Sequence, residues 1–236
     1  MNIAQIRSTA LLIAAAVFLA FCLSATVGLG SKADTTARRT VIIDAGHGGF
    51  DGGAVAADGT AEKDINLAVS LKLQQLLTFY GYNVVMLRDC DTALNTDGST
   101  TRQKKRSDIM YRYSVMQENP DSIYLCIHQN NFSASYCHGA QMFYCRSTDG
   151  SKELAQSIQT SLHRLQTDNE RVIKPCTDDV YLIYNATTTA VLVECGFLSN
   201  YDDLQNLKND EYQMKLAFAV SSGLNEYITG AEKSSG

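Results

Sequence analysis

Short apolar runs alternate with amphipathic helical patterns along most of the chain, and this alternation limits the available folds more than any other feature. The runs typical of strands are residues 41–43, 84–87, 123–127, 140–144 and 190–193. The stretches typical of helices are residues 62–80, 102–117, 153–165 and 212–227. Strands that are apolar throughout must be covered on both sides. The pattern therefore predicts a single α/β domain with a central, mostly parallel or mixed sheet and helices on both faces.

The N-terminus departs from this pattern, because an almost unbroken apolar run, residues 10–28, follows Arg7. A membrane-spanning helix needs about 20 apolar residues and a secretory signal roughly 7–15, so residues 1–33 are predicted to be a signal peptide or a signal anchor. The alternative is a buried core helix. The rest of the chain is predicted to comprise a tether (residues 34–39), a folded domain (residues 40–229) and a disordered tail (residues 230–236). The domain is thus expected outside the cytoplasm, secreted or anchored to the membrane.

Composition narrows the class of partner. The 20 basic and 25 acidic residues give a net charge of −5, and no basic run stands out, so the sequence argues against a nucleic-acid partner. Of seven cysteines one lies in the leader, and the other six allow 15 pairings. Cys126 and Cys195 lie in apolar runs and are interpreted as small core residues. No disulfide pair is predicted.

A glycine-rich segment, residues 44–53, follows the first predicted strand and should lie at the carboxyl edge of the sheet, where α/β proteins place their sites. Phosphate binding is one interpretation of such a turn. It is disfavoured because no Gly-Lys-Ser/Thr follows and Asp51 stands where a dinucleotide fingerprint needs its third glycine. His47, with glycines on both sides, is left as a candidate ligand.

A second histidine, His128, follows the strand-like run 123–127 and should reach the same edge. Glu62 lies in the first turn of a predicted helix after the glycine-rich segment and can add an oxygen ligand. Two imidazoles and one carboxylate with an open fourth position are a ligand set of catalytic zinc. Each histidine alone could instead be a hydrogen-bonded structural residue. Thiolate ligation by Cys126 or Cys195 is a further alternative, without a Cys-x-x-Cys pair to support it.

Glu194 follows the apolar run 190–193, and a carboxylate in such a position is costly to bury unless it is paired or lies beside a cation. It is interpreted as a general base near the metal, with a salt-bridged charge as the alternative. His138, in a loop, could line the cleft or be solvated. His163 is interpreted as a surface residue of a helix.

Four separated motifs carry a family resemblance, in order along residues 40–227. They are Asp44-Ala45-Gly46-His47-Gly48-Gly49, Glu62-Lys63 with Asn66-Leu67, Ile127-His128-x-Asn130, and Leu192-Val193-Glu194-x-Gly196-Phe197-Leu198-Ser199-Asn200. Together they resemble the zinc-dependent type 3 N-acetylmuramoyl-L-alanine amidases. The resemblance implies an α/β domain, zinc held by His47, Glu62 and His128, and Glu194 as the catalytic carboxylate. Thr188-Thr189-Ala190 replaces the proline usual before the last strand.

The resemblance also implies what the protein does. We expect metal-assisted hydrolysis of the amide between N-acetylmuramic acid and L-alanine in peptidoglycan, with Glu194 as general base and Asn66 and Asn130 supporting the ligands. A catalytic domain behind a leader is similar to the spore-cortex members of the family. Peptidoglycan is the expected partner, the membrane is a second one if the leader is retained, and a protein activator is left open. The alternatives are a zinc exopeptidase of wall peptides and an inactive, membrane-anchored wall-binding protein.

Overall fold

Six strands form one sheet in the computed structural model of the chain, which describes residues 39–234. The strands are β1 (Thr40–Ala45), β2 (Asn83–Met86), β3 (Ile123–Asn130), β4 (Gln141–Tyr144), β5 (Lys174–Pro175) and β6 (Thr189–Phe197), in the order β2-β1-β3-β6-β4-β5. Strands β2, β1, β3 and β6 are parallel, whereas β4 is antiparallel to β6. The predicted mixed, mostly parallel sheet is confirmed.

Helices connect and cover these strands. They are α1 (Glu62–Phe79), α2 (Thr101–Gln117), α3 (Ser151–Leu165), α4 (Tyr181–Tyr184), α5 (Tyr201–Lys208) and α6 (Asp210–Ser234). The start of α2 is fixed by a capping box between Thr100 and Gln103. None of the helices within residues 39–234 has the length and apolarity needed to cross a membrane. The predicted leader lies outside these residues.

One face of the sheet, the apolar face, consists of the residues of β1, β3 and β6 that point to the same side: Val41, Ile43, Ala45, Ile123, Leu125, Ile127, Val191, Val193 and Cys195. They are nearly or fully buried. Helices α1, α3 and α6 cover this face, and α6 packs against both α1 and α3. The larger core of the domain lies here.

The opposite face, the site face, carries the other parity of the same strands: Ile42, Asp44, Tyr124, Cys126, His128, Ala190, Leu192 and Glu194. Met116 of α2 and Ile183 of α4 cover its apolar part. Because β1, β3 and β6 are parallel and in register, their polar residues lie at the same end of the sheet. The site face is therefore apolar towards the amino ends of the strands and polar towards their carboxyl ends. Its polar end lies at the carboxyl edge of the sheet.

Several predicted boundaries are wrong. The strands β3 and β6 continue past their last apolar residues, since His128 pairs with Glu194 and Asn130 with Phe197. Both candidate site residues therefore lie inside strands and not behind them. The tail predicted to be disordered from Gly230 belongs to α6 as far as Ser234, because one glycine costs a helix only about 1 kcal/mol and helix formers follow it.

Candidate metal centre and active site

His47 lies in the turn after β1, held in an unusual conformation. Its φ is 61°, and it is the one non-glycine residue with positive φ among the described residues. Such a conformation costs about 1–3 kcal/mol and persists only where the surroundings fix it. The following Gly48 and Gly49 also have positive φ, which lets the turn bring the imidazole back over the edge of the sheet.

Three side chains meet at this edge. Glu62, at the start of α1, contacts both imidazoles: its Oε2 lies 3.2 Å from Nε2 of His47 and its Oε1 lies 2.8 Å from Nδ1 of His128. The imidazole rings are 4.8 Å apart, edge to face. Across residues 39–234, these three side chains are the one group of His, Cys, Asp or Glu found close enough together to hold a metal ion.

The carboxylate of Glu62 is held by several donors. Its oxygens accept hydrogen bonds from the backbone N–H groups of Ala54 (2.9 Å) and Gln129 (3.1 Å) and from Nδ2 of Asn66 (3.3 Å). Burial alone would raise the pKa of Glu62, but the two histidines outweigh it and lower that pKa. The support predicted for Asn66 agrees with these contacts. In place of Asn130, the neighbouring Gln129 completes the network, donating from Nε2 to Oδ1 of Asn66 at 3.1 Å.

Asp51 orients His47, a role that the sequence did not reveal. Its Oδ2 lies 3.0 Å from Nδ1 of the imidazole, which leaves Nε2 facing Glu62, and its Oδ1 lies 2.7 Å from Nζ of Lys105. Burial would lower the pKa of His47, but Asp51 and Glu62 outweigh it and raise that pKa to about 9. The carboxylates of Asp51 and Glu62 therefore favour a positive charge on the imidazole that lies between them. A carboxylate four residues after a candidate histidine ligand is the signal that could have identified Asp51.

The residues fit a divalent metal. Two imidazoles and a carboxylate are the donor set of catalytic zinc sites, and an outer carboxylate on a ligating histidine is usual there. The glycines next to these three side chains lie so close to them that an added Cβ atom would not fit. A Cβ on Gly46 would lie 2.2 Å from Nε2 of His128, and one on Gly53 would lie 2.5 Å from Oε2 of Glu62.

Glu194 lies beside this centre, and no ion pair joins it to another of the described residues. Its register with His128 on the neighbouring strand directs both side chains to the site face. Its Oε2 is buried and has no hydrogen-bond partner within residues 39–234, so these residues show no salt bridge of the kind considered as the alternative. Burial raises the pKa of Glu194 to about 7, opposed by the two histidines and assisted by Glu62. A carboxyl group with such a pKa can both accept and donate a proton near neutral pH.

Two buried arginines hold the backbone around His47. Arg112, on α2, forms an ion pair with Asp44 and donates from Nη2 to the carbonyl of His47 at 2.8 Å. Arg88, after β2, donates to the carbonyls of Ala45 (2.8 Å) and Gly46 (2.9 Å). These bonds fix three consecutive carbonyl groups and account for the persistence of the positive φ at His47.

A cavity of about 270 Å³ opens at the centre. Strand ends, α2 and the segment that leads into α4 form its walls, which include Lys105, Asp179, Tyr181 and Glu194. A larger concave region, about 1290 Å³, lies between the start of α3 and the end of α6. It holds none of the three candidate ligands, so we place the chemistry in the smaller cavity.

The other candidate residues lie apart from the three ligands. Burial raises the pKa of Cys126, which donates to Asp44 at 3.5 Å, while Cys195 points to the apolar face. Neither belongs to the group that could hold a metal. His138 is exposed in its loop. His163 is half-buried rather than on the surface, and its Nε2 lies 2.9 Å from the carbonyl of Arg171.

Comparisons with known proteins agree with this geometry. A family model described as N-acetylmuramoyl-L-alanine amidase (Amidase_3) matches residues 41–226. The germination-specific N-acetylmuramoyl-L-alanine amidase of Bacillus subtilis is 32% identical over 192 residues, covering 81% of this chain and 80% of that protein. The structure of the CwlD amidase from Clostridioides difficile in complex with the GerS lipoprotein matches at 40% identity and a TM-score of 0.78, covering 81% of this chain and 99% of that one. The catalytic domain of CwlV from Bacillus (Paenibacillus) polymyxa var. colistinus matches at 29% identity and a TM-score of 0.69, covering 81% and 98%.

Proposed function

This chain belongs to the N-acetylmuramoyl-L-alanine amidase family, and from that membership we propose that it is a zinc enzyme with Glu194 as its general base. Its activity is the hydrolysis of the amide that joins N-acetylmuramic acid to L-alanine in peptidoglycan. The observation that carries the proposal is the carboxyl group of Glu194, whose buried Oε2 has no hydrogen-bond partner among the described residues and which lines the same cavity as His47 and His128.

The proposed ligands are His47, Glu62 and His128, whose candidate ligand atoms all lie within 4.8 Å of one another. When bound, zinc supplies Lewis acidity, which polarises a carbonyl group and lowers the pKa of water. Asp51 holds the tautomer of His47 that presents Nε2 to the site, and Asn66 holds the carboxylate of Glu62. A zinc ligand must be a neutral imidazole, so His47, whose pKa is about 9 without metal, would have to lose its proton to hold the ion.

In the proposed reaction Glu194 moves one proton twice. It accepts a proton from the attacking water as that water adds to the amide carbonyl carbon, and it then donates the proton to the departing nitrogen of L-alanine. In the metal-free chain burial raises the pKa of Glu194 to about 7, which places the group near neutrality for both steps. A carboxyl group with its ordinary pKa of about 4.5 would accept the proton less readily and would rarely carry one to donate.

We further propose that the enzyme acts outside the cytoplasm, on the peptidoglycan of the spore cortex. Peptidoglycan lies outside the membrane, and a relative in Bacillus subtilis is germination-specific. The apolar run at residues 10–28 supports export, either as a cleaved signal or as a membrane anchor. A lipoprotein is a candidate protein partner, since the CwlD amidase forms a complex with the GerS lipoprotein.

Digestion of purified peptidoglycan by the zinc-loaded chain tests the proposal. We expect whole stem peptides with a free N-terminal L-alanine, identified by mass spectrometry, and about one zinc per chain by elemental analysis. Release of single amino acids would instead indicate the exopeptidase. Zinc binding or wall binding without any product would indicate the inactive wall-binding protein.

A further inference from the structure

Exposed aromatic side chains cluster in sequence just beyond the carboxyl ends of β3 and β6. Phe132 is 56% exposed, Tyr136 is 81% exposed and Tyr201 is 74% exposed. Single exposed aromatic residues are ordinary on protein surfaces. These three, however, belong to the loop after β3 and to the start of α5 after β6, at the edge of the sheet that carries His128 and Glu194.

The two loops are tied together. The N–H of Phe132 donates to Oγ of Ser199 at 3.1 Å, and Nδ2 of Asn200 donates to the carbonyl of Ser135 at 2.8 Å. The N–H of Gly139 donates to Oδ2 of Asp203 at 2.9 Å. Residues 131–139 are therefore fixed against the start of α5 near their beginning, middle and end, so the aromatic rings project from a braced surface.

This surface lies within reach of the reaction site. Phe132 follows His128 by four residues, which limits the separation of their Cα atoms to about 14 Å. Ser135 and Asn200, which are hydrogen-bonded to each other, directly precede Tyr136 and Tyr201. The segments that carry the three aromatic residues are thus held together by hydrogen bonds beyond the carboxyl ends of β3 and β6.

We propose that Phe132, Tyr136 and Tyr201 form a stacking platform for the sugar rings of the glycan strand. A pyranose ring presents a face of C–H groups, which stacks on an aromatic ring, and an uncharged hydroxyl rim. Residues 131–139 match this chemistry, because they include no Lys, Arg, Asp or Glu and carry one side-chain amide and three hydroxyl groups. A glycan strand also extends far beyond a cavity of about 270 Å³, so contacts outside it are needed to hold the polymer.

The inference rests on the proposed function. Kinetics on two substrates distinguish a failure of the platform from a failure of the proposed function itself. The variants are Phe132→Ser, Tyr136→Ser and Tyr201→Ser in the full chain, with Phe79→Ser as the matched control. Phe79 is 84% exposed but ends α1 at the opposite edge of the sheet. The substrates are intact peptidoglycan and a single disaccharide carrying its stem peptide. A wild-type chain that cleaves neither substrate would contradict the proposed function itself.

We expect each platform variant to raise the KM for intact peptidoglycan by about 2- to 10-fold, the range typical of one ring-stacking contact. The kcat, the turnover of the small fragment and the thermal stability should stay unchanged, and Phe79→Ser should change nothing. Tyr136→Phe should behave like wild type, because it keeps the ring. Unchanged KM in all three variants, or an equal loss on both substrates, would overturn the proposal. So would unchanged KM with loss of binding to a lipoprotein, since the surface would then recognise a protein.

A direct binding measurement uses the absence of tryptophan from the sequence. Phe132→Trp introduces a single fluorophore, and peptide-free glycan strands, the product of the amidase reaction, serve as the ligand. We expect a shift of its emission to shorter wavelength and protection from acrylamide when the strands are added. The matched Phe79→Trp variant should show neither change. Emission of Phe132→Trp that stays unchanged at saturating glycan would overturn the proposal.

Discussion

The apolar face and the site face are built from the same three strands, yet they serve different ends. On the apolar face the central residues of β1, β3 and β6 are apolar, with polar Thr189 and Gln129 only at strand ends, and three helices bury them. On the site face the same strands present Asp44, His128 and Glu194 towards their carboxyl ends. Alternation along each strand separates the two sets, so the fold can hold buried charges on one side without weakening the core on the other.

The site face contains a second contrast, between two carboxyl groups. Burial raises the pKa of both, but the Arg112 guanidinium and the Tyr124 hydroxyl reverse this for the fully buried Asp44 and lower its pKa. Glu194 is half-buried and has no such partner among the described residues, and its pKa rises to about 7. The difference shows that a charged partner can outweigh burial in setting the pKa of a carboxyl group.

The largest expected effect comes from removing a candidate ligand. His47→Ala, Glu62→Ala and His128→Ala should each lose zinc and reduce hydrolysis to background, as measured by elemental analysis and release of stem peptides. His163→Ala is the control and should keep both zinc and activity. One zinc per chain in any of the first three variants would show that the ligand set is different.

Glu194→Gln should separate catalysis from metal binding. The amide keeps the shape of the side chain but cannot accept the proton, so hydrolysis should fall by about 10²–10⁴-fold while zinc stays near one per chain. Zinc content and rate are measured on the same preparation. Loss of zinc would make Glu194 a ligand, and full activity with zinc retained would assign the proton transfer to another group.

Arg112→Met should test the buried ion pair of the site face. It leaves Asp44 as an unpaired buried charge, and breaking such a pair typically costs about 3–5 kcal/mol of unfolding free energy. Urea denaturation measures the loss. The double variant Asp44→Leu/Arg112→Met should recover part of it, because the orphaned charge is then removed. A double variant as unstable as Arg112→Met alone would mean that packing, and not charge, was lost.

Leu162→Ala, on the apolar face, should lower the stability of the protein without changing its activity. Leu162 is fully buried on α3, and truncation should cost about 2–5 kcal/mol of unfolding free energy. At temperatures well below the melting point, kcat and KM should match those of wild type. A fall in kcat comparable to the loss of stability would contradict the separation of the two faces.

The smallest expected effect is a pH dependence of metal-free stability. The folded pKa of Glu194, about 7, lies above its ordinary value of 4.5, so the folded state holds the proton more tightly than the unfolded state does. Its contribution to stability is therefore greatest below pH 4.5 and is lost as the pH rises to 7, by at most about 3 kcal/mol. The unfolding free energies of wild type and Glu194→Gln in chelator, compared from pH 4.5 to 8, isolate this contribution. An unchanged difference would contradict the raised pKa.

Much of the fold could be predicted from local pattern. The four long helices and five of the strands follow from apolar spacing, because each buries a face whose period is visible in the sequence. The strand β5 and the helices α4 and α5 are not predicted, since two, four and eight residues are too short to show a clear period. The strand ends were placed too early because His128 and Glu194 are polar, although their backbone pairing continues.

The candidate site divides in a similar way. The residues of the motifs could be named from the sequence, and the structure brings His47, Glu62 and His128 together. Arg88 and Arg112 could not be found, because they act on carbonyl groups more than 40 positions away and no local spacing records such a contact. In the sequence Asp51 stands out only as a departure from a nucleotide-binding motif, and that pattern does not indicate its contact with His47.

The crowding around the ligands has a consequence for how sequences of this kind can diverge. Gly46 meets His128 and Gly53 meets Glu62 at distances that admit not even a methyl group, whereas Gly52 and Gly59 face open space. Gly52 has no positive φ either, so it should drift freely over evolutionary time. We expect Gly46 and Gly53 to stay invariant in homologues that keep the candidate metal centre. A larger residue at either position in a homologue would therefore predict a protein that keeps the fold but has lost the metal centre and the hydrolytic activity.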